Sequence, residues 1–110
     1  MERNDAEEIL AATETLMREI VQRNDLSPKD VVSCLFTLTD DLDAEFPAVA
    51  ARRLGFDQVP LMCAREVPVP GALPKVIRVM MHYYAADEHV AKHVYLGEAR
   101  KLRLDLEGAQ

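Results

Sequence analysis

Arg78 is the residue whose surroundings most suggest chemistry. It stands in an otherwise apolar run, residues 76–81, within a segment from 75 to 84 that is predicted as a strand. A guanidinium in a buried strand is costly unless an anion pairs with it. That anion would be either an internal carboxylate or a bound ligand. The pattern alone favours a second possibility about equally, namely that Arg78 lies on the solvated face of an alternating strand.

Glu66 is the carboxylate whose flanking segments are best suited to hold it in a defined position. It follows a predicted strand, residues 59–64, and precedes the proline-rich segment 67–71, which is predicted to be extended and to end in a turn. Stiff segments at strand ends hold polar groups at a defined geometry. The more frequent arrangement for such a residue is a surface ion pair, here with Arg65 or Lys75. The two hypotheses remain open on pattern alone.

Two further groups of residues are weaker candidates. His89 and His93 have the spacing of two metal ligands on one helix face, but no third strong ligand is evident nearby. An exposed polar turn is therefore favoured, and no metal site is predicted. Arg52 and Arg53 lie in a predicted helix and point in different directions, so only one of them can face a given pocket. A solvated helix arginine is the commoner role for each.

Helices and strands alternate along the chain, which predicts an α/β or α+β domain spanning residues 1–110. The first helix has Asp5 and Glu8 at capping-box spacing, and the second has Pro47 in its first turn and Gly55 just beyond its end. The predicted helices cover residues 5–23 and 47–54, the strands cover 31–39, 59–64 and 75–84, and residues 94–96 lead into a mixed tail.

Composition narrows the classes of function. Thirteen basic against nineteen acidic residues give a formal charge of −6, which argues against nonspecific nucleic-acid binding. The polar start and the lack of a long apolar run predict neither a signal peptide nor a membrane span. Cys34 and Cys63 are predicted to be reduced thiols of a cytoplasmic protein. A domain of 110 residues has a small core, so subunit contacts would add buried area.

Five stretches together carry a family resemblance. They are residues 39–42, 46–48, 59–61, 93–96 and, most specifically, residues 64–81 with the sequence AREVPVPGALPKVIRVMM. In this order and spacing the chain, from Glu2 to Leu106, resembles the AroH-class chorismate mutases. The resemblance implies a mixed sheet with helices on one side. It also implies a homotrimer built as a pseudo-barrel, with active sites in clefts between subunits.

The activity implied by the resemblance is the Claisen rearrangement of chorismate to prephenate in aromatic amino-acid biosynthesis. This is a one-step reaction without covalent catalysis, so neither cofactor nor metal is expected. The resemblance implies that Arg78 contacts a substrate carboxylate and the ether oxygen, that Glu66 and Cys63 lie near the ring hydroxyl, and that Tyr95 donates to a carboxylate. The implied catalytic residues are Arg78 and Glu66, and the implied substrate-binding residues are Phe46, Ala48, Arg52, Leu61, Met62, Cys63, Ala64, Arg65, Glu66, Arg78 and Tyr95.

The chain departs from the family pattern at its beginning. The resemblance implies a first strand with an arginine, in an Arg-Gly-Ile-Arg-Gly-Ala-like run, and this run is absent before the first helix. Two explanations are open. The natural protein starts about a dozen residues earlier, which is favoured because a sheet edge would otherwise be exposed. Otherwise the chain is short and has weak or no activity.

Two other functions stay open beside the enzyme. One is a non-catalytic trimeric module that binds a small anion. The other is a structural or interaction domain in which Arg78 pairs with Glu66.

Overall fold

The computed structural model describes residues 1–101, and residues 102–110 of the predicted tail lie outside this part. The helices are α1 (Ala6–Arg23) and α2 (Ala48–Arg53), and the strands are β1 (Val31–Leu38), β2 (Leu61–Arg65) and β3 (Ile77–Tyr83). Short 3₁₀ turns cover Pro28–Asp30 and Gly97–Lys101. Each predicted helix and strand is present, which confirms the element order. No helix within residues 1–101 has the length and apolar character needed to cross a bilayer.

The three strands form one mixed sheet in the order β2-β1-β3. β1 and β2 run parallel, with Phe36 opposite Cys63, and β1 and β3 run antiparallel, with Thr37 opposite Arg78. Parallel strands require a crossover between them, and α2 lies in that connection. The predicted mixed α+β architecture is therefore confirmed.

Both helices pack on the same face of β1. Cys34 and Phe36 of this face join Met17 of α1 and Ala51 of α2 in one buried cluster. Phe36 is fully buried, and burying a side chain of this size contributes about 1.5–3 kcal/mol to stability. Alternate β1 residues, such as Thr37, point to the opposite face, which we call the open face, and are only half-buried. The sheet thus presents its open face for polar groups or further partners.

The start of α1 is capped by two carboxylates. The Asp5 side chain accepts a hydrogen bond from Glu8 N at 3.0 Å, as the predicted N-cap requires. The Glu8 side chain instead accepts from Glu2 N at 2.9 Å and Arg3 N at 3.0 Å. The reciprocal bond of a capping box, from Asp5 N to Glu8, is thus replaced by bonds from the preceding turn. These bonds lower the pKa of Glu8.

The beginning of β3 differs from the prediction by two residues. Lys75 has a φ of +54°, a left-handed conformation that a strand does not adopt. The Asp41 carboxylate holds this kink by accepting from Lys75 N with both oxygens at 3.1 Å. The Thr39 hydroxyl accepts from the next amide, Val76 N, at 3.0 Å. These bonds fix the point at which β3 enters the sheet.

Candidate active site

Arg78 lies on the open face of β3, where its side chain is 58% exposed. The strand alternates between half-buried and exposed residues along its length. The hypothesis of a guanidinium inside a buried strand is therefore wrong, because β3 packs on the core with one face only. The alternative, an arginine on the solvated face of an alternating strand, is what the structure has.

Glu66 directly follows β2 and is the anion paired with Arg78. The Arg78 side chain donates from Nε to Oε2 at 2.7 Å and from Nη2 to Oε1 at 2.6 Å. The Thr37 hydroxyl donates to Oε2 from the central strand. Glu66 N donates to Leu38 O at 2.9 Å, which continues the β1–β2 pairing by one residue. The carboxylate is thus held by three strands, and the predicted alternative partners, Arg65 and Lys75, do not pair with it.

Both members of this pair are stabilised in their ionised forms. The hydrogen bonds from Arg78 lower the pKa of the Glu66 carboxyl, against the opposing effect of its partial burial. The bond from Thr37 lowers it further. Glu66 in turn raises the pKa of Arg78, and Tyr95 adds a small effect in the same direction. At neutral pH the site therefore holds a fixed cation and a fixed anion side by side.

A groove of about 1080 Å³ borders Arg78 within the described residues. Its walls come from α1, from β3 and from residues 91–99. Thr37, Lys75, Arg78 and Tyr95 all line it, so basic and hydroxyl-bearing side chains border the groove. Acidic side chains line it as well, namely Glu2, Glu8 and Glu98. Such a groove has the size of a small-molecule pocket and the positive groups that an anion requires.

A second, smaller cavity of about 360 Å³ contains other predicted site residues. Phe46, Cys63, Ala64 and Arg65 line it. Arg65 is partly engaged by the main chain, because its Nη1 donates to Thr39 O at 3.1 Å and to Leu42 O at 3.0 Å. The predicted site residues that line a cavity are therefore divided between two places on one chain.

Glu66 and the remaining predicted residues line neither cavity. Ala48 is 3% exposed within the core, and Leu61 packs against that core. Met62 is 68% exposed and Arg52 is exposed on α2. Their roles in binding remain predictions.

Thr37 is a site residue that the sequence patterns did not indicate. It reaches Glu66 because β1 is central in the sheet, and it stands opposite both Ala64 and Arg78. Only the strand order and register reveal this neighbourhood. In the described part of the chain, no group of three or more His, Cys, Asp or Glu residues is arranged to hold a metal ion.

Comparison with known proteins gives the family. The model of the family described as "Chorismate mutase type I" matches residues 1–106. The chain belongs to the type I chorismate mutase family. The predicted resemblance and the predicted class of enzyme, an isomerase, are thereby confirmed.

Individual type I chorismate mutases agree with this assignment. "Chorismate mutase AroH" of Thermus thermophilus is 45% identical over 112 residues, covering 100% of this chain and 92% of the relative. The protein of the same description from Bacillus subtilis (strain 168) is 44% identical over 108 residues, covering 96% and 85%. A solved chorismate mutase from Clostridium thermocellum superposes with a TM-score of 0.87 at 48% identity, covering 91% of this chain and 90% of the other. The fold described above is therefore that of the family.

Proposed function

We propose that this chain catalyses the rearrangement of chorismate to prephenate, a step of aromatic amino-acid biosynthesis. The observation that carries the proposal is the doubly hydrogen-bonded Arg78–Glu66 pair at the border of the groove that Tyr95 also lines. A pericyclic reaction needs a fixed substrate conformation and charge stabilisation, and it requires no nucleophile. The site supplies fixed charges on strands, which is the kind of group that this chemistry uses.

Arg78 is proposed to act on the breaking ether bond. Negative charge develops on the ether oxygen in the transition state, and a donor that is already in place stabilises it without reorganisation. A guanidinium can contact this oxygen and a neighbouring carboxylate together, because its donors form a rigid fork. One ion pair at 4 Å and an effective dielectric constant near 20 is worth about 4 kcal/mol before desolvation.

Glu66 and Tyr95 are proposed to orient the substrate. An ionised carboxylate accepts hydrogen bonds only, so Glu66 suits a ring hydroxyl as its partner. Tyr95 is half-buried and can donate its hydroxyl to a substrate carboxylate. Cys63 would lie near the ring hydroxyl, and Arg52 at the mouth of the site.

The active unit is proposed to be a homotrimer with its sites between subunits. This arrangement would bring the smaller cavity of one chain, lined by Phe46 and Arg65, next to the groove of another chain, lined by Arg78 and Tyr95. It would account for the division of predicted site residues between the two cavities. Exposed apolar side chains support it, since Phe46 and Met62 are each 68% exposed and Met80 is 59% exposed. We also propose that residues 1–110 form one domain and that the protein acts in the cytoplasm, where its two free thiols would stay reduced.

The alternative of a non-catalytic anion-binding module is not favoured, because the family match and the relatives described as chorismate mutases agree with the enzyme. Loss of the ultraviolet absorbance of chorismate, followed with purified chain, tests the proposal. Turnover that rises more than in proportion to protein concentration, with sedimentation at three times the chain mass, is the expected result. Thermal stabilisation by chorismate without turnover would favour the binding module. The absence of both turnover and stabilisation would overturn both functions.

A further inference from the structure

Asn24, at the end of α1, is a buried polar residue for which the site has so far given no role. It is 6% exposed, and a buried amide is costly unless its donors and acceptors are bonded. Its Nδ2 donates to Ile20 O and to Lys92 O, both at 3.0 Å. Its Oδ1 accepts from Lys92 N at 2.8 Å and, more weakly, from Tyr83 Oη at 3.4 Å. These four contacts use the full bonding capacity of the amide.

The bonds to Lys92 form a two-point contact. One side chain binds both the N–H and the carbonyl of the same residue, 68 positions later in the chain. Such a contact fixes the position and the orientation of the main chain at Lys92, as pairing to a neighbouring strand would. Within residues 1–101, no other residue from Val90 to Tyr95 hydrogen-bonds to a helix or strand. Asn24 is therefore the polar anchor of this irregular segment.

A second contact holds the segment upstream of the anchor. Tyr83 Oη lies 2.8 Å from His89 Nε2, and the two rings meet edge to face with centroids 5.4 Å apart. Tyr83 belongs to β3, the strand that also carries Arg78. The segment that leads to Tyr95 is thus attached at one place to the end of α1 and at another to β3.

Tyr95 comes three residues after Lys92 and lines the same groove as Arg78. We infer that Asn24 is a positioning residue, whose amide fixes Lys92 and thereby holds the Tyr95 hydroxyl at the substrate carboxylate. The inference rests on the proposed function. It adds a residue that borders the groove at the end of α1 and is proposed to act through the position of Tyr95 rather than by contact with the substrate. An error in position of the order of 1 Å at such a donor is enough to weaken binding substantially.

The test is a double-mutant cycle on chorismate turnover. Asn24→Ala is expected to raise KM about fivefold or more with little change in kcat, because a carboxylate contact shared by substrate and transition state is lost. In a Tyr95→Phe background the same change is expected to alter KM by less than about twofold, since the hydroxyl being positioned is already absent. Phe56→Leu, in the core beside α2 and outside the lining of the groove, is the control for lost stability and should leave KM unchanged.

Hydrogen exchange provides a readout that does not depend on turnover. The Lys92 amide should exchange at least about tenfold faster in Asn24→Ala than in the wild type. If that variant does not fold, Asn24→Asp replaces it with KM as the readout, because the carboxylate keeps an acceptor for Lys92 N and loses only the donor to Lys92 O. Unchanged exchange of the Lys92 amide in Asn24→Ala overturns the inference while leaving the proposed function intact. So do effects of Asn24→Ala and Tyr95→Phe on KM that are simply additive. A wild-type chain without turnover overturns the proposed function and the role of Asn24 with it.

Discussion

The guanidinium of Arg78 and the carboxylate of Glu66 meet through two parallel hydrogen bonds, of 2.7 and 2.6 Å. A guanidinium has five N–H donors, so three remain for other acceptors. Pairing with Glu66 and binding an anionic ligand are therefore compatible. The pair fixes the plane of the guanidinium before any ligand arrives, which reduces the conformational freedom that binding would otherwise remove.

Removing Arg78 tests its proposed catalytic role. Arg78→Ala is expected to lower kcat for chorismate by at least about 100-fold, the usual effect of losing one preorganised donor. Arg78→Lys keeps the positive charge but lacks the planar set of N–H donors of a guanidinium, so it should recover only a small part of the lost activity. The ultraviolet assay measures both variants, with Arg18→Ala as a control because Arg18 pairs with Glu14 on the exposed side of α1. Activity of Arg78→Ala within tenfold of the wild type would remove the assignment.

Acid should weaken the fold partly through Glu66. Its pKa is lower in the folded chain than in the unfolded one, so the unfolded state binds more protons as the pH falls. The stabilisation is present above the unfolded pKa of about 4.3 and disappears as the pH falls through the folded pKa. Because Arg78 is more than half exposed, the contribution is expected to be below about 1 kcal/mol.

Urea unfolding between about pH 5 and pH 3 measures this effect. The free energy of unfolding of Glu66→Gln should fall less steeply over this range than that of the wild type. Identical slopes for the two proteins would mean that the Arg78–Glu66 pair does not stabilise the fold in solution.

Thr37 should matter through its hydroxyl. Thr37→Val preserves the shape of the side chain but removes a hydrogen bond to the Glu66 carboxylate. A bond to a charged group contributes about 1.5–3 kcal/mol, so kcat/KM for chorismate should drop about tenfold or more. Thr37→Ser keeps the hydroxyl and should retain most of the activity. Equal activities for the valine and serine variants would exclude a role for the bond.

The two cysteines should differ in reactivity. Burial raises the pKa of the Cys34 thiol to about 11, and Cys34 is only 2% exposed, whereas Cys63 is half-buried beside a cavity. A disulfide reagent at pH 8 should therefore modify one thiol in the folded chain and both in denaturant. Cys63→Ser should abolish the fast reaction. A fast reaction that persists in this variant would show that Cys34 is accessible.

The sequence allowed each helix and strand to be predicted, because periodicity and end signals are local. α1 begins one residue after Asp5, and Gly55 follows α2 with a φ of +99°. The start of β3 was missed because Lys75 adopts a left-handed conformation that Asp41, 34 residues earlier, stabilises. No local pattern contains such a contact.

The sequence indicated several residues of the site but not which of them contact each other. Arg78 and Glu66 were identified as residues, and their pairing was one of the open alternatives, but whether they meet depends on β1 lying between β2 and β3. Thr37 joins them only because the register places it opposite Arg78. Asn24, just beyond the predicted first helix, was not identified, since its partner Lys92 is distant in the sequence.

The strand order has a consequence for synthesis on the ribosome. β1 emerges first of the three strands, yet it is the central one, so both of its edges stay unpaired until β2 and β3 follow. Its apolar face can be buried earlier, because α1 precedes β1 in the chain. Ile9 and Met17 of α1 belong to the same clusters as Leu38 and Phe36. In the nascent chain, burial of this strand is thus a local event, whereas its hydrogen bonding is delayed until about residue 83 has left the tunnel.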